Sequence, residues 1–223
     1  MALTATATSL VQEDILKQLN LKNCVIFKGS FNRSNLMYQV RRKGNFETSI
    51  QDLHELISTK FPNASGIIYC LSKNDCNRIE MELREKGISI AAYHGDLSHT
   101  QRQAVHHKWS TDKVRVIVAT TAFGMGINKS DVRFIIHHSI PKSIEDYYQE
   151  SGRAGRDGLE STCILYFSMT DKPRALALLH SSNKEQKKPA SHCATKSKSP
   201  FETLGKVIHY AENQTVCRRR LLL

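Results

Sequence analysis

No apolar run in this chain approaches the roughly 18 residues that a membrane-spanning helix requires, so no such span and no membrane partner are expected. The opening Met1-Ala-Leu-Thr places no charged region ahead of an apolar one, which argues against a secretory leader. Cysteine is sparse and irregularly placed. Cys24, Cys70, Cys76, Cys163, Cys193 and Cys217 contain no C-x-x-C pair, so a disulfide framework is not expected, and a reducing compartment is. A tetrahedral zinc site needs four ligands, and this spacing does not supply them, so no bound metal is expected. Two absences concern phosphate chemistry. Nothing reads G-x-x-x-x-G-K-[ST], the loop whose amides and lysine cradle phosphates, and no Asp-Glu pair follows a strand to hold Mg²⁺.

Acidic residues are also short, 21 against 32 lysines and arginines, for a net charge of +11. The excess is uneven: residues 172–223 carry 11 basic side chains against three glutamates, a net of +8, leaving +3 for residues 1–171. Ser181 to Pro200 is rich in Lys, Ser and Ala with almost no large apolar side chain, and reads as a linker whose burial cannot offset its ordering entropy. Its lysines fit a solvated loop, a phosphate-screening patch or a nuclear import signal. The remaining chain has length and apolar content for one full domain plus pieces.

Short β-rich runs alternate with segments of helical spacing. Strands are expected at Cys24–Phe27, Leu36–Val40, Gly66–Leu71, Ser89–Tyr93, Arg115–Thr120, Arg133–His138 and Thr162–Phe167. Phe46, Ile50, Leu53 and Ile57, then Cys76, Ile79 and Leu83, each form one apolar stripe of a helix. Ser9 with Gln12, and Ser143 with Asp146, read as helix caps. This alternation predicts an α/β fold with a parallel sheet covered on both faces.

The most informative run is Gln149-Glu-Ser-Gly-Arg-Ala-Gly-Arg-Asp-Gly158, which sets Arg153 and Arg156 among glycines just after an amphipathic helix. A planar guanidinium keeps its charge and offers paired donors to phosphate oxygens. The glycines permit turns that would let both side chains point out of a loop. The alternative is a basic turn paired with Glu150 or Asp157. Thr120 to Asn128 forms a second glycine-bearing loop, expected with the first at the one sheet edge where α/β folds bind ligands. Gly124-Met-Gly126 lacks the third glycine of a dinucleotide fingerprint. The pairs His106-His107 and His137-His138 point different ways along a helix or strand, so neither is expected to hold a metal.

Six blocks in order resemble the later motifs of RecQ-type DNA helicases: Met1-Ala-Leu-Thr-Ala-Thr-Ala-Thr8, Gly66-Ile-Ile-Tyr-Cys-Leu-Ser72, Tyr93-His-Gly95, Ala119 to Lys129, Asp131 to His138 and Gln149 to Gly158. The resemblance implies a RecA-like lobe of a superfamily 2 motor. Residues 1–30 would end a first lobe, 31–172 form the second, and 173–223 be a basic linker, with a short helical tail, opening a zinc-binding subdomain. Phe31 to Asn35 would be the hinge.

It also implies roles. Arg153 and Arg156 would reach across a cleft to the γ-phosphate, with Gln149 coupling the site and Gly152 in the same turn. Gly126, Asn128, Asp131 and Gly152 would approach the nucleotide. Ser72, Lys73, His94, Arg102 and Thr120 would track the DNA backbone. Ser72 equally serves as a plain N-cap, Lys73 stands where the family has arginine, and Arg102 is the stronger candidate than His94, since an exposed histidine is mostly neutral near pH 7. Thr4 and Thr6 would couple nucleotide state to DNA contact. Cys217 would be the first of four zinc ligands in a full-length parent.

The implied cofactors are ATP and Mg²⁺, bound mostly by an upstream lobe. The implied partners are single-stranded and partly duplex DNA, and the implied location is the nucleus in a eukaryote or the cytoplasm otherwise. Because Met1 falls inside a motif, the chain reads as the back half of a motor that cannot hydrolyse ATP alone. The other reading is a non-catalytic nucleic-acid-binding or helicase-partner module.

Overall fold

The computed structural model describes residues 9–22, 24–27, 29–124, 127–174, 176–177 and 200–222. Helix α1 (Ser9–Gln18) is followed by β1 (Leu36–Arg42), α2 (Phe46–Lys60), β2 (Ser65–Tyr69), α3 (Lys73–Glu85), β3 (Ile90–Tyr93), α4 (His99–Ser110), β4 (Val116–Ala119), β5 (Val132–His137), α5 (Ile144–Ser151), β6 (Ser161–Phe167), α6 (Pro200–Glu212) and α7 (Arg218–Leu222). The six strands form one sheet in the order β1-β6-β5-β2-β4-β3. Every pairing is parallel.

The strand runs are apolar almost throughout because both faces of the sheet are covered. Ile68, Val118, Phe134, Ile136 and Ile164 point to one face, under the stripes Ile50, Leu53 and Ile57 of α2 and Cys76, Ile79 and Leu83 of α3. Ile67, Tyr69, Ile117, Ile135 and Cys163 point to the other, with Trp109 of α4. Gly66 is required at its place in β2, since a Cβ there would lie 2.1 Å from the Phe134 ring. That ring stacks on Phe61 at 4.7 Å.

Caps set the helix starts. Asn45 accepts from the Thr48 amide at 2.8 Å, Ser72 from Asp75 at 3.1 Å and Ser143 from Asp146 at 2.9 Å. Ser98 and Gln101 form a reciprocal capping box on α4.

One expectation needs correction. Cys24–Phe27 is not a strand; these residues have no regular secondary structure and are exposed, Phe27 at 92%. No strand among the described residues lies beside them to complete a ladder, and apolar content alone does not make one. The expected helical tail is present, and it packs on the domain. Leu204, Val207, Tyr210 and Ala211 of α6 are buried against Ile140, Tyr147 and Leu165, and Leu221 and Leu222 of α7 join that cluster. The helical moment of α6 was present in the sequence but masked by the charge around it. The proposed linker, Ser181 onward, lies outside the described residues up to Pro200.

Among the described residues no helix is long and apolar enough to cross a membrane. No group of three or more His, Cys, Asp or Glu is arranged there to hold a metal.

Candidate functional site

Helix α5 runs back against the strands and ends at Gly152, whose amide donates to the Tyr148 carbonyl at 2.8 Å. The chain then turns tightly, with Arg153 and Ala154 amides returning to Glu150 and Ser151 at 3.1 Å. Gly155 follows at φ +55°, and its amide meets the Val132 carbonyl at 2.9 Å. This loop therefore stands at the amino ends of β1, β5 and β6. The loop expected beside it begins instead at the carboxyl end of β4, so a single binding edge is not what the fold builds. The reason is that α5 carries the chain back across the sheet before the arginines occur.

The two loops still meet. Arg153 is buried, its guanidinium donating to the Gly124 carbonyl. Arg156 is exposed and donates to the Ile127 carbonyl at 2.6 Å. The expectation that both side chains point outward holds for Arg156 only, because Arg153 fills space over Tyr69. Burial pushes the Tyr69 phenol well above its usual range, so it stays protonated and donates to the Phe123 carbonyl at 3.0 Å.

Neither arginine pairs with an acid in its own turn. Glu150 is buried against His137 at 2.7 Å, and Asp157 binds Arg133 at 2.5 Å, which holds its carboxyl below the usual range. Partial burial, then the like charges of Arg153 and Arg33, push the Arg156 guanidinium below its ordinary value. Three guanidiniums thus converge on backbone carbonyls, with the two acids of the turn already engaged. The positive charge is left for an anion.

Gln149 is exposed on the last turn of α5, and Asn128 and Asp131 are exposed beyond Ile127. Asp131 is held by buried Lys129 at 3.2 Å, which also binds Asp112 at 3.0 Å. Gly126, Thr4 and Thr6 lie outside the described residues.

At the opposite edge, the carboxyl ends of β2, β3 and β4 carry the other candidates. Ser72 acts as N-cap of α3, and its oxygen also accepts from Arg174 at 3.4 Å, while Arg174 pairs with Asp75 at 2.5 Å. Lys73 is exposed and ion-paired with Asp96. Arg102 is half-buried on the first turn of α4, and Thr120 is half-buried after β4. His94 differs from expectation: it is turned inward, 5% exposed, with Nε2 2.9 Å from the Asn77 side-chain oxygen, so it packs against α3 rather than facing solvent. His138 is likewise buried, which drives its pKa down to about 3. Cys217 is exposed, and the Arg219 and Arg220 amides lower its thiol below the usual range.

Several participants escaped sequence reasoning. Arg33 donates to the carbonyls of Ala154 at 3.1 Å and Gly155 at 2.6 Å, and Asn35 donates to Gly155 and Leu159, both at 2.9 Å. The His137–Glu150 pair and Tyr69 belong to the same packed group, with Tyr69 and His137 stacked at 5.2 Å. Arg33 lies more than a hundred residues from its partners, so no local spacing betrays it.

The family model "Helicase conserved C-terminal domain" matches residues 48–158. The chain is 46% identical over 229 aligned residues to ATP-dependent DNA helicase Q-like 4B of Arabidopsis thaliana, spanning 100% of this chain and 20% of that protein. It is 47% identical to RecQ-like DNA helicase BLM of Xenopus laevis, spanning 100% of this chain and 16% of that one. The chain thus covers a fifth or less of these two relatives. Among solved structures, Saccharomyces cerevisiae Dbp5 bound to RNA and ADP BeF3 superposes with a TM-score of 0.64 at 20% identity, over 80% of this chain and 47% of that one, which shows a shared RecA-like fold. With high identity across its whole length to helicases of one kind, the chain belongs to the RecQ-type helicase family.

Proposed function

We propose that this chain is part of an ATP-dependent 3′-to-5′ DNA helicase, supplying the arginines that complete an ATP site and a surface that holds the DNA backbone. The observation that carries this reading is the pair Arg153 and Arg156, whose nearby acids Glu150 and Asp157 are bound elsewhere, while Arg33 is spent on the Ala154 and Gly155 carbonyls. An uncompensated group of guanidiniums fits a polyanion such as a triphosphate. No carboxylate of the turn is free to hold Mg²⁺, so ATP and Mg²⁺ would be gripped mainly by a first lobe, and this chain would close on them.

In that closure Arg156, exposed and anchored through one nitrogen, stabilises charge gathering on the γ-phosphate. Arg153 is already buried against Gly124, and ties the arginine turn to the Thr120–Asn128 loop. Gln149 stands on the same turn of α5, placed to couple the site. Asn128 and Asp131 face the nucleotide side. Ser72, Lys73, Arg102 and Thr120, at the other edge, hold phosphates of single-stranded or partly duplex DNA. Cys217 alone does not fit a tetrahedral zinc site, and no role here depends on zinc. Residues 1–30, 31–172 and 173–223 remain the proposed divisions, with α6 packed on the middle one. A nuclear location belongs to this reading, supported by the basic excess of residues 172–223.

The test is ATP hydrolysis by the purified chain with and without single-stranded DNA, with DNA binding followed across a salt series. Binding that weakens with salt and no hydrolysis supports the reading. DNA-stimulated hydrolysis by the chain alone would overturn the claim of an incomplete ATP site. In the full-length protein, Arg156→Ala should lower turnover by about 10³-fold or more while DNA affinity stays nearly unchanged. Turnover at the wild-type level would remove Arg156 from the chemistry.

A further inference from the structure

We propose that Arg33 and Asn35 are positioning residues for Arg156, so that the segment leading into β1 sets where that arginine stands. This rests on the reading of Arg156 given above. The geometry is a staple between two parts of the chain far apart in sequence. The Gly155 carbonyl begins the peptide unit that carries Arg156, and it accepts from both the Arg33 guanidinium at 2.6 Å and the Asn35 amide at 2.9 Å. The Gly158 amide also donates to this oxygen at 3.0 Å, so three donors crowd one carbonyl, its acceptor directions are used, and that peptide plane is pinned. Arg33 also holds the Ala154 carbonyl at 3.1 Å, fixing the preceding peptide.

The rest of the segment is tied to the same turn. Asn35 donates to Leu159 at 2.9 Å, and its own carbonyl receives the Ser161 amide at 2.9 Å. Upstream, Phe31 is caught by the Tyr148 hydroxyl on α5, which donates to its carbonyl at 2.5 Å. The turn between these anchors has no slack. Gly155 sits at φ +55°, and a Cβ there would meet the Asn35 amide nitrogen at 2.5 Å and the Leu159 carbonyl at 2.7 Å. Movement of residues 31–35 must therefore move the Gly155–Arg156 peptide or break these bonds.

The position matters because a guanidinium serves developing charge only when correctly aimed, and a displacement of about 1 Å costs on the order of 10²-fold in rate. Arg33 acts through the backbone of the turn and touches no reacting atom in this arrangement. Its loss should then appear in the chemical step and leave nucleotide affinity largely intact.

The test is DNA-stimulated ATP hydrolysis by the full-length protein carrying Arg33→Ala, Asn35→Ala, Arg156→Ala or the Arg33→Ala/Arg156→Ala pair, with thermal melting to confirm folding. Arg33→Ala should lower kcat by about 10- to 100-fold with KM for ATP changed little. The double variant should be no slower than Arg156→Ala alone, since a positioning residue has nothing left to position. Asn35→Ala should show the same pattern at smaller size, and serves if Arg33→Ala does not fold.

A readout without activity uses this chain by itself: in Arg33→Ala the Gly155 and Asp157 amides, bonded to Val132 and Ser130, should exchange hydrogen faster. If Arg156→Ala loses turnover but folded Arg33→Ala and Asn35→Ala keep it, or if the losses multiply in the double variant, the positioning role is overturned. Wild-type turnover in Arg156→Ala instead overturns the underlying reading of Arg156, and the positioning role falls with it.

Discussion

At the scale of single residues, environment separates side chains that look alike in the sequence. Arg153 and Arg156 are three apart in one glycine-rich run, yet one is buried on a carbonyl and the other is exposed. His137 ends β5 and His138 follows it, yet they face opposite sides of the sheet: the first meets Glu150, and the second is sealed among Lys43, Asp75, Arg174 and the Tyr166 ring. Burial is the largest cause of the fall of His138 to about 3, with Lys43 and Arg174 adding to it and Asp75 opposing. Its ordinary value is 6.5, so above that pH the site costs nothing. As pH falls from 6.5 toward 3 the unfolded chain takes up a proton that the folded one refuses, and stability is lost. Between pH 7 and pH 5 this one group should cost about 2 kcal/mol. Urea unfolding of wild type and His138→Gln at both pH values checks it; an equal pH dependence in the two would show that His138 does not contribute.

Among elements, the C-terminal helix α6 carries the clearest energetic claim. Leu204 is 2% exposed and packs with Ile140 and Val207. Leu204→Ala should therefore destabilise the domain by about 2–5 kcal/mol, the range for emptying a buried leucine site. A loss below about 0.5 kcal/mol in urea unfolding would mean that α6 is not part of the core. Helix α4 depends instead on its start: Ser98→Ala removes the reciprocal bonds with Gln101 and should cost about 1 kcal/mol. Its apolar contribution is concentrated in Trp109, fully buried in the core, with Val105 packed beside it.

For the whole molecule, the parallel sheet divides the proposed work between two edges. Anion-directed arginines stand at the amino ends of β1, β5 and β6, and the backbone-tracking candidates stand beyond the carboxyl ends of β2, β3 and β4. If that second edge holds DNA phosphates, Lys73→Ala should weaken binding to all sequences alike and reduce the slope of log K against log salt by about 0.7, the value for one contact to a single strand. Fluorescence anisotropy with two unrelated oligonucleotides over a salt series measures both effects. An unchanged slope would place Lys73, already paired with Asp96, outside the interface.

Much of this was readable along the chain because it depends on neighbours. Apolar runs and helical stripes located six of seven expected strands and the helices over Phe46 and Cys76, since burial on both faces imposes its pattern residue by residue. Caps at Ser72, Ser98 and Ser143 are likewise local, as the side chain reaches an amide three residues on. What needed the fold is everything that joins distant segments. That Cys24–Phe27 is no strand was decided by the lack of a described neighbouring strand, and the burial of α6 by a surface offered by α5 and β6. The inward turn of Arg153 and His94, the separation of the two edges and the staple from Arg33 to Gly155 are all contacts across tens to more than a hundred residues. Such contacts leave no periodicity, because nothing in local spacing encodes which remote carbonyl an arginine will find.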